Sequence, residues 1–203
     1  MMNFRVRAGN KDLSVEFVLA TQGDLNRLSH WRTTKHQRHN QHVTDALEFC
    51  RLAGKRWRTY RAANRIVTNQ NELKEAHKSR NEAVFVMIAR ADWHKPSPIL
   101  GFCFCRKTWC HHIILDFVAV HPNAIRAAGG PVLGVGSGML YSVIQLADTV
   151  GVKTVWGEAT ENSAPFYAKA LALQNITDHF FITGETFLHC LRQFEFLAGD
   201  HRP

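Results

Sequence analysis

Apolar residues in this chain gather in short dense runs bounded by turn residues, the pattern of buried strands. Residues 13–20 (LSVEFVLA) place apolar side chains at 13, 15 and 17, less cleanly at 18 and 19, and read as a first strand. Residues 83–90 (AVFVMIAR), 99–105 (ILGFCFC) and 113–120 (IILDFVAV) are denser and read as buried strands. The segment 93–98 holds Pro96 and Pro98 and turns the first two of these into a hairpin. Residues 137–150 have apolar positions at 139, 140, 143, 144, 146 and 147, a helical stripe, and Gly151 suits the position just past its end. A strand over 152–156, a short helix over 162–173 and a strand over 177–183 follow. Residues 185–197 fit helix or strand.

From Thr21 to about Arg80 the pattern changes. This stretch has no proline, is rich in Arg, Lys, Gln, Leu and Ala, and reads as helical, with Gly54 and 69–71 as its breaks. Thr21 or Asp24 can cap its start. The alternation of strand and helix after residue 113 predicts parallel pairing there, and the earlier hairpin makes the sheet mixed. The fold class is therefore mixed α/β, one domain over 1–203 with an extended helical region at about 24–80.

Composition changes this picture in three places. With 203 residues and 45% hydrophobic content the chain can bury a sizeable core. No run of 18 apolar residues is present, and residues 1–10 lack the apolar stretch of a secretory signal, so no membrane is expected. The five cysteines are odd in number and lack framework spacing, which predicts free thiols and a cytoplasmic protein. The formal charge of +8 is concentrated: residues 27–80 hold 13 Lys or Arg against 4 acidic residues, and five of the twelve histidines. Such a surface is either a solvated face or an attraction for anions, including nucleic acid. His36, His39 and His42 are spaced to share one broad helical face, as part of that surface rather than as a metal site. The neighbours Cys110, His111 and His112, and the pair Cys103 and Cys105, match no standard zinc spacing, so no metal is expected.

The candidate chemistry begins at Gly134-Val135-Gly136-Ser137-Gly138, between a buried strand and a helix. Glycines free several backbone N–H groups of Cβ obstruction, and the helix adds its positive end, so phosphate oxygens are natural guests. A tight turn with close packing is the other reading of the same loop. Met139 and Leu140 exclude a Walker loop, and Met139 breaks the dinucleotide fingerprint. A methyltransferase-like loop binding S-adenosylmethionine, with Glu158 holding a ribose, fits the local residues. However, only 65 residues follow Gly138, too few to complete a doubly wound sheet.

Three segments in order resemble the GCN5-related N-acetyltransferases (GNAT): residues 115–122 (LDFVAVHP), 134–140 (GVGSGML) and 161–171 (ENSAPFYAKAL). The resemblance covers roughly 83–183. It departs from the family at Pro131, which stands where an Arg or Gln is usual. It implies a central mixed sheet of six to seven strands flanked by helices, and acetyl-CoA as cosubstrate. It further implies that Val118, Ala119 and Val120 hold the pantetheine arm through their backbone. Leu133, Gly134, Val135, Gly136, Ser137 and Gly138 would hold the pyrophosphate, Asn162 would contact the cofactor, and Tyr167 would protonate the departing thiolate. Asp116 and Glu158 are the candidate bases.

Each of these residues has a plainer reading. Asp116 shares a face with Val118 and Val120 if no bulge intervenes, and is either a base or a carboxylate satisfied by its neighbours. Tyr167 is an acid or a packed aromatic, and Asn162 a ligand, a helix cap or both. The expected function is direct acetyl transfer to an amine in a ternary complex by a monomer or homodimer. An acidic or nucleic-acid-linked acceptor is suggested by the basic stretch. The rival class is a non-catalytic GNAT-like module that binds acyl-CoA or nucleic acid through its basic surface.

Overall fold

The computed structural model describes residues 2–199. Its centre is one eight-stranded sheet. The strands are β1 (Met2–Ala8), β2 (Lys11–Leu19), β3 (Ala83–Arg90), β4 (Ile99–Lys107), β5 (His112–Val120), β6 (Val132–Leu133), β7 (Thr154–Glu158) and β8 (His179–Ile182). They lie in the order β6-β1-β2-β3-β4-β5-β7-β8. The sheet is mixed, as expected, with eight strands rather than six to seven. The additional strands have local causes. In β1 the alternation Asn3, Phe4, Arg5, Val6, Arg7 buries Phe4 and Val6 and exposes the rest, the period of a half-buried strand. The two-residue β6 completes the sheet by pairing with Arg7 and Ala8.

Six helices flank the sheet: α1 (Gln22–Leu28), α2 (Gln41–Ala62), α3 (Gln70–Lys78), α4 (Val135–Val150), α5 (Ala164–Ala170) and α6 (Gly184–Ala198). The ambiguous segment 185–197 is thus helical. One core, under α4 and α6, contains Phe4, Phe85, Leu140, Ile144, Phe187 and Cys190. The other, under α1 and α2, contains Leu28, Trp57, Val86, Phe102, Phe104 and Phe117. Burying residues on both faces is why β3 and β4 read as continuous apolar runs.

The basic region is less continuous than the sequence suggests. Thr21 caps α1 and Asp24 returns the bond, its carboxylate accepting from the Thr21 N–H at 2.9 Å, so both candidates act together. Gly54 does not break α2, which runs through it for 22 residues. The break falls instead at 29–40, where only a single 3-10 turn forms. His36 lies in that turn and His42 in α2, so the three histidines do not share one helical face. Asn69 caps α3, so a break falls at 69 as expected.

β5 and β7 pair in parallel, as expected, but β7 and β8 are antiparallel. α5 has only seven residues, about 10 Å of rise, too little to carry the chain back along the sheet for a parallel return. It leaves and re-enters at the same end, where the Ala159 N–H donates to the Asp178 carbonyl at 2.6 Å.

Gly138 serves packing. A Cβ there would fall 2.2 Å from the Phe4 ring, itself buried between α4 and β1. Gly138→Ala should therefore cost about 2 kcal/mol of stability by overpacking, read as a shift of the urea midpoint at constant slope. An unchanged midpoint would remove this account of the glycine.

Candidate active site

The parallel pairing of β5 with β7 covers only His112 to Leu115. Beyond that rung the strands part. β7 ends at Glu158, whereas β5 continues to Val120 with β4 alone as its partner. One edge of this half of β5 is left without a strand, and its backbone polar groups face a cleft of about 680 Å³. That volume lies in the usual range for ligand sites.

The start of α4 forms the opposite end of the cleft. Gly134 caps the helix at φ +91°, a left-handed conformation that glycine adopts without penalty. It offers no side chain to the helix. The first intrahelical bond is from the Gly138 N–H to the Gly134 carbonyl, so the N–H groups of Val135, Gly136 and Ser137 have no intrahelical acceptor. Gly136 lies against Phe166, with 3.2 Å between that ring and the place of a Cβ. Arg126, Lys169 and His189 also line the cleft. The site therefore offers a helix N-terminus, two cationic side chains and an imidazole to an anionic ligand.

α5 is fixed beside this end. The Tyr141 hydroxyl donates to the Ala170 carbonyl at 2.8 Å, tying α4 to α5. Tyr167 stacks on Phe180 of β8 with ring centroids 4.1 Å apart. The residue is buried and lines the cleft. Burial pushes this phenol above its ordinary value of 10, and the nearby thiols of Cys103 and Cys105 push it the same way. Tyr167 thus holds its proton across the neutral range.

Twelve of the thirteen residues singled out from the sequence line this one cleft: Asp116, Val118, Ala119, Val120, Leu133, Gly134, Val135, Gly136, Ser137, Glu158, Asn162 and Tyr167. Gly138 does not, because it faces Phe4. Asn162 is not the cap of α5; Ser163 holds that position, and the Asn162 side chain stands exposed at the cleft.

Asp116 requires a correction. The register between β4 and β5 slips between Phe104 and Cys105: Phe104 faces Phe117 and Cys105 faces Leu115, leaving Asp116 as the extra residue of a bulge. The bulge turns Phe117 into the core under α2, while Val118 packs against the core under α4. Asp116 therefore does not share a face with Val118 and Val120. Its carboxylate accepts from Arg106 at 2.6 and 2.7 Å and pairs with Arg56 of α2 at 3.2 Å. Two guanidinium groups bind its oxygens, and Arg106 is raised further above its ordinary value by that hydrogen bond. This favours a structural carboxylate over a proton acceptor.

Several lining residues were not foreseen. His189 and Gln193 come from α6, whose helical period was ambiguous in the sequence. His42, Asp45 and Phe49 come from α2, where spacing of 3 and 4 residues marks one helix face. The Lys and Arg of the cleft are Arg126 and Lys169; neither belongs to the basic stretch, whose Arg51, Lys55 and Arg58 are exposed on α2. Among the described residues no helix is long and apolar enough to cross a membrane.

No family profile and no curated protein matches the sequence. Solved structures do. Nourseothricin acetyltransferase aligns at 16% identity over 43% of this chain and 48% of that one, with a TM-score of 0.35, so the chain spans about half its length. Tetrahymena GCN5 aligns at 12% identity over 78% of each chain with a TM-score of 0.44. The Escherichia coli ribosomal-protein-S18-alanine N-acetyltransferase aligns at 14% identity over 82% of this chain and 90% of that one, with a TM-score of 0.45. Two of these three partial, low-identity likenesses are to proteins named as acetyltransferases.

Proposed function

We propose that this protein is an acetyl-CoA-dependent N-acetyltransferase acting by direct attack in a ternary complex. One observation carries the reading: an unpaired strand edge and a helix N-terminus without a side-chain cap face each other across one cleft, with a buried tyrosine beside them. The residues present fit coenzyme A. The N–H groups of Val135, Gly136 and Ser137 suit a pyrophosphate, and the free edge of β5 from Phe117 to Val120 suits the amides of a pantetheine arm. Arg126 and Lys169 supply the positive charge that Pro131 does not. Acetyl-CoA supplies an activated thioester; the protein's own part is to bind, orient and move protons.

Transfer forms an N–C bond to the acetyl carbon and breaks the C–S bond. Glu158, at the mouth of the cleft, accepts the amine proton, and Tyr167 donates one to the leaving thiolate. An N–H of the β5 edge polarises the carbonyl. Asp116 is not given the base role, because its oxygens are held by Arg106 and Arg56. No covalent intermediate is needed, which agrees with burial of Cys103, Cys105 and Cys190 and the raised pKa of each thiol. The acceptor is an amine. His42, Asp45, Ala46 and Phe49 of the basic stretch line the cleft, but among the described residues none of that stretch's Lys or Arg does; salt-insensitive kinetics on a small amine are expected.

Calorimetry with acetyl-CoA tests the reading. Binding is expected, and Ser137→Glu should weaken it at least about tenfold by placing a carboxylate where the pyrophosphate would lie. No binding to the wild type would end the enzyme reading and leave a module acting through its basic surface. Binding of S-adenosylmethionine instead would favour the methyltransferase.

A further inference from the structure

Outside the cleft, the sheet carries a surface that the proposed chemistry does not use. Four residues stand in register across the strands: Arg106 faces Ile114, Ile114 faces Trp156, and Trp156 faces Phe181. Their sequence neighbours Ile113, Leu115, Val155, Phe180 and Ile182 are buried under α4 and α6, so this row points to the α2 side. α2 covers Phe104 and Phe117, and its Arg56 pairs with Asp116 beside the Arg106 end of the row. Phe181 is 57% exposed and Trp156 only partly buried, and their rings stack at 6.0 Å and 24°. His179 adds a third ring 6.2 Å from Trp156.

This surface is continuous with the cleft. Glu158, on the same face of β7 as Trp156, lines the cleft, and Asp116, which lines it too, is bonded to Arg106 at the end of the row. The local charge opposes that of the whole chain. Glu158 and Asp178 are exposed carboxylates with His179 between them, at 3.6 and 2.9 Å. In a chain of net charge +8 this mouth attracts cations and repels phosphate.

We propose that the acceptor is a primary amine carried on a flat aromatic body, which lies on Trp156 and Phe181 while its ammonium group is drawn to Glu158. The proposal rests on the acetyltransferase reading and deepens it. An aromatic body on two stacked rings gains offset-stacking and desolvation energy that a linear alkyl or polyamine chain cannot match. The carboxylates bring the amine to the end of the row that opens on the thioester site. The patch is two to three rings wide, which fits a compact amine rather than a macromolecular surface.

The test compares tryptamine and tyramine with n-butylamine and spermidine as acceptors, following thiol release from acetyl-CoA. The aromatic amines are expected to show kcat/KM at least about tenfold above n-butylamine. Trp156→Ala and the surface variant Phe181→Ala should each erase most of that advantage through KM. They should leave n-butylamine turnover and calorimetric acetyl-CoA affinity unchanged. Equal kcat/KM for all four amines, or an equal loss for aromatic and alkyl amines in both variants, would overturn the proposal. So would a dimer that Phe181→Ala converts to monomer in sedimentation without altering amine preference, because the row would then be a subunit contact. Failure of the transferase reading is separate: the wild type would not bind acetyl-CoA. Calorimetry of tryptamine against wild type and Phe181→Ala then still decides the platform, with binding lost in the variant as support and equal heats as refutation.

Discussion

Tyr167→Phe is expected to lower kcat by at least about 10²-fold, the usual contribution of a positioned acid, while changing acetyl-CoA affinity by no more than about twofold. The substitution removes one hydroxyl and keeps the ring, so the fold loses little. The ring would still stack on Phe180 and fill its place beside Phe166. Because burial raises the phenol above its ordinary value of 10, the proton is present at every pH below that, and an alkaline loss of activity from this group begins only above it. Pre-steady-state thiol release measures the step directly. Undiminished thiol release in the variant would mean that Tyr167 is a packed aromatic and that the thiolate leaves unaided. A loss in KM alone would place the tyrosine in binding.

Acid is expected to destabilise the protein by about 3 kcal/mol between pH 6.5 and pH 4, through His121. This histidine closes β5 and is 4% exposed, packed edge-on to Trp31 with centroids 4.9 Å apart. Its Nδ1 accepts from the Asn123 N–H at 3.2 Å, which requires the neutral ring. Burial, with a smaller contribution from His94, lowers its pKa from 6.5 to about 4. The unfolded chain therefore takes up a proton below 6.5 while the folded chain resists until about 4. The full stability is present above 6.5, falls through this window and levels off below it. Urea titrations at pH 7.5, 5.5 and 4.5 read the loss. His121→Asn keeps an acceptor for Asn123 and removes the titration, so its stability should depend less on pH. Parallel losses in both proteins would assign the effect to other groups. The end of β5 is also the end of the proposed pantetheine track, so acetyl-CoA binding should weaken only near pH 4, where the folded ring takes up its proton.

The sequence disclosed much of the cleft because its residues are local in the chain. Gly134 to Gly138 follow one another, and a helix N-terminus is built from consecutive residues. The edge of β5 is likewise one continuous run. Where a segment reported on itself alone, as in the cap at Thr21 or the stop at Gly151, the reading needed no partner. It erred where the outcome depended on a distant residue. Gly138 reads as part of the phosphate loop until Phe4, 134 positions earlier, is seen against it. Asp116 reads as the partner of Val118 until the register with β4 inserts a bulge. Strand β8 reads as parallel until the short reach of α5 is measured against it.

By itself the sequence determined the local elements: which runs must be buried, where glycine frees the backbone, and that a strand, a glycine loop and a tyrosine helix follow in a fixed order. These are consequences of period, steric freedom and capping, all of which act within a few residues. Only the tertiary structure decided that β5 and β7 part after one short ladder, that two arginines hold Asp116, and that Trp156 and Phe181 form an open aromatic row beside the cleft. Strand register and sheet order bring together residues tens of positions apart. The energies that select them come from pairing and packing between segments, which no single segment records.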